Sequence, residues 1–220
     1  HFVAPDAYSG ASSPGAALLA TASKTLGFIG LMRILMIITL PDTGETAVWM
    51  LAFGILSVVT MTWGNLAALG SENPKRMLAY SSVAHAGYMM AALVAVAAWK
   101  NGSFVENNSG GVMAVELIIG AIIFHLFVLI SFKIGAFMVI SHLETEDEVT
   151  NMSSLHGLAK REPIIATSMF VFMLALAGVP PLAGFMSKFL MVTGIVQVAS
   201  ADVLTNTEID LIPTFLGMHW

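Results

Sequence analysis

Cysteine is absent from this chain of 220 residues. That excludes disulfides, thiolate-bound iron–sulfur clusters and a cysteine nucleophile within it. Charge is scarce as well. Only 10% of the residues are Asp, Glu, Lys or Arg, against about 25% in soluble domains. The net charge of -5 comes largely from one acidic stretch, so no nucleic-acid partner is expected. The first residue is not Met, and no basic stretch leads into a short apolar run as in a signal peptide. The sequence therefore reads as a piece of a longer gene product. The strict apolar–polar alternation of a membrane barrel is also missing.

Apolar residues fill that space. They make up 57% of the chain, and the mean hydropathy is +0.84. A soluble enzyme is excluded, and the lipid bilayer is the expected solvent. The 15 Met residues suit adaptable helix–helix packing and do not by themselves imply a metal. No cofactor and no metal are expected on this chain.

Crossing about 30 Å of hydrocarbon takes about 20 residues of helix. About five apolar runs meet that length, from Pro14 to Leu40, Ala47 to Leu69, Lys75 to Trp99, Val112 to Ile140 and Ile164 to Ser200. The predicted fold class is all-α, a polytopic bundle of transmembrane helices. Turn chemistry separates the runs at Pro41–Gly44, Ser71–Pro74 and Asn107–Gly111, and the acidic stretch Ser141–Pro163 forms the longest connector. Residues 1–200 form a partial membrane domain on this reading, and 201–220 an atypical or truncated tail. Lys75, Arg76, Lys160 and Arg161 flank one side, and Lys100 alone the other. By the positive-inside rule, the residue 1 side and the loop 141–163 are cytoplasmic, in a multi-pass protein of the cell (inner) membrane.

The last run would make a helix of about 55 Å at 1.5 Å per residue. Gly178-Val179-Pro180-Pro181 sits inside it. Each proline removes a backbone donor and clashes with the preceding turn. Two outcomes stand side by side: a simple proline kink, or a helix broken near Pro180-Pro181. Broken helices in transporters line ion paths.

Three lysines interrupt the apolar runs. Lys24 lies about 15 Å into the first run, Lys133 inside the fourth, and Lys188 beyond the Pro-Pro pair. A central lysine costs about 2.5–3.5 kcal/mol on insertion scales. Desolvation disfavours an ammonium ion, so a series of buried lysines can pass protons. Snorkelling or a structural ion pair is the plainer account, and it suits Arg33 near a span end. His85 lies in the third run and is suited to proton exchange, although a packing histidine would look the same. His125 and Lys133 are about 80° apart on one helix and share a face only approximately. Glu116 reads as interfacial, His142 and His156 as inert loop residues, and Glu144–Glu148 as a solvated loop. The candidate relay residues are Lys24, Lys133, Lys188 and His85.

Several stretches match a known pattern. His1-Phe2-Val3-Ala4-Pro5-Asp6-Ala7-Tyr8 resembles H-x-W-x-P-D-x-Y, with Val3 in place of tryptophan. Ala20–Lys24, Gly64-Asn65-Leu66, Pro74–Ser82, His85-Ala86-Gly87-Tyr88, Leu176–Pro180 and Gly184–Phe189 extend the match across the chain to about residue 200. Together they resemble subunit N of the complex I-type NADH:quinone oxidoreductases, an antiporter-like family. The similar subunit N of the methanogen deazaflavin-dependent dehydrogenase fits equally well.

The resemblance implies a parent of about fourteen helices with inverted repeats, in which this chain supplies the last helix of the first repeat and four of the second. It also implies a broken helix and a central relay that includes Lys24 and Lys188, with Lys133 and His85 near its axis. The partners would be other membrane subunits of a complex I-type assembly. The activity would be proton movement coupled to quinone reduction by NADH or a reduced deazaflavin elsewhere in the complex, with no redox chemistry on this chain. The family's upstream glutamate–lysine pair has no counterpart here, and the tail from Asp202 departs from the pattern. A multisubunit cation/proton antiporter or a membrane-bound hydrogenase subunit shares these features. A purely structural membrane anchor is the reading of a different class.

Overall fold

The computed structural model describes residues 3–38, 46–101, 109–146 and 151–204. Their regular structure is helical throughout, with no strand among the described residues. A short helix, α1 (Ala4–Gly10), precedes α2 (Ser13–Leu18). One π turn, Leu19–Ser23, carries α2 directly into α3 (Lys24–Ile38). There follow α4 (Thr46–Leu69), α5 (Pro74–Asn101), α6 (Ser109–Glu146), α7 (Leu158–Arg161), α8 (Pro163–Ala177) and α9 (Ala183–Leu204). Five of the described stretches are long and apolar enough to cross a membrane: Ser13–Leu35, Trp49–Leu69, Pro74–Ala98, Gly111–Thr145 and Ala183–Ser200. This is a multi-pass membrane protein. The connector Pro41–Gly44, residues 107 and 108 of the third connector, and residues 205–220 of the tail lie outside the described residues.

The bundle is organised around α5 and α6. Their apolar windows are 61% and 50% buried, against 17% for α4. Leu78, Met89, Ile118, Ile122, Phe137 and Ile140 fill the space between them and their neighbours. Asn73 caps α5 by accepting from Lys75 N at 2.9 Å and Arg76 N at 3.2 Å. Pro74 follows at the first helical position, where its missing N–H costs nothing.

The long final run is broken rather than kinked. Gly178 adopts φ +87, a conformation that any side chain would strain. Its N–H donates to Leu174 O at 3.0 Å, and Val179 N–H donates to the same carbonyl at 3.1 Å, which closes α8. Pro180 and Pro181 cannot continue the helix, and α9 restarts at Ala183. α8 and α9 then pack so closely that a Cβ on Gly184 would sit 1.6 Å from Ala175 O.

The acidic connector needs correction. α6 runs past Ile140 to Glu146, so the loop expected over 141–163 begins later. Glu144 is not a free loop carboxylate: it is half-buried and pairs with Lys75, 2.5 Å away across the bundle. That partner is distant in sequence and invisible to a loop reading.

Candidate functional site

The π turn determines where Lys24 points. It widens the helix by one residue immediately before Lys24, and Thr21 inside it donates back to Ala17 O at 2.8 Å. Such single-turn π segments recur at functional sites. Lys24 Nζ is buried with no hydrogen-bond partner among the described residues. It lines a cavity of about 10 Å³ together with Thr21, Thr25, Ser82 and Lys133. That volume accommodates about one water molecule.

On the far wall stands Lys133, only 1% exposed. Its ammonium donates to Leu78 O at 3.1 Å and to the Ser82 hydroxyl. Ser82 donates in turn to Leu78 O at 3.1 Å, and the Tyr8 hydroxyl reaches Ser82 from α1. Among the described residues Lys133 is thus held by oxygens alone, a backbone carbonyl and a hydroxyl, with no carboxylate beside it.

His85 lies one turn along α5 from Ser82, on the same face. Its Nδ1 is 3.1 Å from His125 Nε2, and His125 Nδ1 is 2.8 Å from Ser187 Oγ. Ser187 donates to Gly184 O at 3.1 Å, which commits its proton. It therefore accepts from His125 Nδ1–H. In the neutral pair His125 then accepts at Nε2 from His85 Nδ1–H, leaving His85 Nε2 as an acceptor. All three side chains are buried.

Lys188 occupies the helix break. Its ammonium donates to Leu176 O at 2.9 Å and Ala177 O at 3.0 Å, the end carbonyls of α8. These carry the negative end of the helix dipole. The ring of Tyr88 lies beneath the same ammonium, 5.4 Å away at its centroid. A cavity of about 220 Å³ joins Lys188 to His85, with Asn65, Ser81 and Tyr88 on its wall.

All four sequence-predicted residues therefore fall along one polar seam through an apolar bundle. Lys24 and Lys133 share the small cavity, and His85 and Lys188 share the large one. Ser82 on the first cavity and His85 on the second stand one turn apart along α5. His125 belongs to the seam despite its offset from Lys133, because the buried side of α6 is broad enough to hold both, while Ile123, Phe127 and Met138 on its other side are exposed. Sequence reasoning assigned no role to Ser82, Tyr88 or Ser187, although each stood in a quoted motif. Ser82 was within reach of the spacing rule, three residues before His85. Ser187 was not, because its partner is 62 residues away.

A family model described as "NADH:quinone oxidoreductase/Mrp antiporter, TM" matches residues 1–106 and 108–209. An NADH-quinone oxidoreductase subunit N of Bdellovibrio bacteriovorus is 40% identical over 195 residues, covering 87% of this chain and 36% of that protein. A subunit N 1 of Roseiflexus castenholzii is 35% identical over 225 residues, covering 100% of this chain and 39% of the relative. The chain thus spans little more than a third of the length of the relatives it matches. A solved chain of the archaeal membrane-bound sulfane sulfur reductase, a respiratory membrane complex, superposes with a TM-score of 0.72 at 24% identity. That match covers 91% of this chain and 39% of the other, and it supports the fold.

Proposed function

The chain belongs to the NADH:quinone oxidoreductase/Mrp antiporter family of transmembrane proteins, and from that premise we propose that it is part of a subunit N-like membrane subunit of a redox-driven proton pump. Residues 1–200 contribute to the proton-translocating domain. Electrons pass from NADH or a reduced deazaflavin to quinone elsewhere in the complex, with no redox chemistry on this chain. The partners are the other membrane subunits of that assembly, in the cell membrane. The residue 1 side and the loop before Pro163 face the cytoplasm, following the distribution of Lys and Arg.

The observation that carries this reading is the seam itself. Three lysines and two histidines from α3, α5, α6 and α9 lie inside an apolar bundle in two linked groups, Lys24 with Lys133 across the small cavity, and His125, His85 and Lys188 through a hydrogen bond and the large cavity, with Ser82 and His85 one turn apart on α5 between them. Burying ionisable groups in a membrane is costly and characteristic of proton paths. Lys24 and Lys133 exchange a proton across the small cavity. Ser82 relays along α5. His85 takes up a proton at Nε2 while its Nδ1–H stays hydrogen-bonded to His125 Nε2, which fixes the ring. The large cavity completes the path to Lys188. The curated relatives named above are NADH-quinone oxidoreductase subunits N, which favours this reading over a cation/proton antiporter.

Lys188→Ala in the complete complex should leave assembly intact and reduce proton pumping by at least about ten-fold, the lower end for a lost proton-transfer group. Normal pumping by sealed vesicles holding the assembled variant would refute the reading. It would leave a structural anchor in which the buried lysines are dispensable.

A further inference from the structure

Two features of the large cavity remain unexplained by a plain lysine–histidine relay. Asn65 is an exposed amide on α4, among the least buried spans, where a bare polar group is costly. It donates from Nδ2 to the Tyr88 hydroxyl at 2.8 Å, and this is its hydrogen bond among the described residues. Tyr88 in turn has its ring face toward the Lys188 ammonium, 5.4 Å from the centroid. The same ring meets the His85 imidazole edge-on, with centroids 5.7 Å apart and planes at 89°. One side chain thus touches both ends of the second transfer step.

We infer that Tyr88 is a positioning residue of the relay, whose ring cradles the Lys188 ammonium at the helix break on the wall of the cavity it shares with His85. The inference rests on the proton-pump reading above. Two carbonyls and an aromatic face enclose the ammonium on three sides. A cation this close to a ring centroid is attracted by the ring's negative face. Asn65, on the wall of the same cavity, holds that ring by its hydroxyl. The ring neighbours both groups, and a proton between Lys188 and His85 travels through the cavity they share. Tyr88 sets both the resting place of the charge and the route it takes.

The ring and the hydroxyl can be tested separately in the complete complex, in sealed membrane vesicles with proton uptake followed by a pH-sensitive dye. Tyr88→Phe keeps the aromatic face and serves as the conservative rescue. Tyr88→Met fills similar space without it. With assembly matched by immunoblot, the Phe variant should retain at least half of the wild-type pumping rate. The Met variant should fall about three- to thirty-fold, the range set by loss of a cation–π contact. Equal pumping by the Met and Phe variants, whether both high or both low, would overturn the role of the ring. Lys188→Ala is the parallel control. If it abolishes pumping while Tyr88→Met does not, this inference fails and the proton-pump reading stands. If Lys188→Ala pumps normally, the reading fails and takes this inference with it.

Discussion

Lys75 and Glu144 meet at 2.5 Å, tying the start of α5 to the end of α6. Ser13 donates to the other Glu144 oxygen at 2.5 Å, and Lys75 also donates to Ala11 O at 3.2 Å. This cluster fastens the α1–α2 connection onto the two central helices. Removing one partner of a buried pair leaves an uncompensated charge, at a cost of about 3–5 kcal/mol when burial is complete. Glu144 is partly exposed, so Glu144→Gln should cost about 1–3 kcal/mol. The double variant Lys75→Met/Glu144→Leu should recover most of that loss. Thermal unfolding of the complete protein in detergent gives both values, and additive losses would refute the coupling.

The α8–α9 contact should tolerate no side chain at Gly184. A Cβ there would meet Ala175 O at 1.6 Å and Ala175 C at 2.7 Å. Backbone cannot yield as a flexible side chain can, so Gly184→Ala must push α9 away from α8. Lys188 would then leave the carbonyls of Leu176 and Ala177. A loss of about 3 kcal/mol or more is expected, read as failed assembly or a large fall in thermal stability. Gly27→Ala is the control, because nothing lies within 4 Å of its added Cβ. Equal stability of the two variants would contradict the packing.

Tyr8 lies on α1, outside the spans, with its ring edge against Phe137 at 6.2 Å. Burial pushes its hydroxyl up to about 12, against an ordinary value of 10.0, and the Ser82 hydrogen bond opposes that only in part. The folded state thus holds this proton more tightly than the unfolded chain. The resulting stability is fully present below pH 10 and is lost as pH rises from 10 toward 12, by about 2–3 kcal/mol. Between pH 8 and pH 11, wild-type protein should lose more stability than Tyr8→Phe, which has no proton to release. Parallel losses in the two proteins would exclude Tyr8 as the source.

Much of this architecture was legible in the sequence because lipid imposes a length and an apolar composition on every crossing. The five spans follow from run length, and Pro180-Pro181 marks where the last run must bend, although proline chemistry alone leaves a kink and a break equally open. The candidate lysines were legible for the complementary reason that charge in an apolar run is costly. What escaped has a common cause. A π turn differs from an α turn in hydrogen-bond register and not in hydropathy, so Leu19–Ser23 carries no signal. Glu144 looks like loop because its partner is 69 positions away, and Ser187 looks like a spacer because His125 is 62 positions away. Helix-to-helix contact supplies that information, and one chain's periodicity does not contain it.

Lys24 offers the sharpest distinction between carrying charge and passing protons. Its ammonium is buried without a hydrogen-bond partner among the described residues, beside a cavity of about 10 Å³. If charge alone mattered at this position, arginine would serve. Arginine keeps its proton across the working pH range, and its planar group presents five donors where lysine presents three. Lys24→Arg should therefore reduce pumping by on the order of ten-fold or more even where the complex assembles, as expected for loss of a proton-transfer group. The larger guanidinium also overfills the cavity shared with Lys133, so some loss of assembled complex should accompany it. Normalising pumping to assembled protein separates the two effects, and Lys24→Met supplies a variant of similar length with no charge. Comparable losses in the Arg and Met variants would place the function in proton exchange. Wild-type pumping by Lys24→Arg would rule out proton exchange at Lys24 and leave it a fixed charge beside the seam.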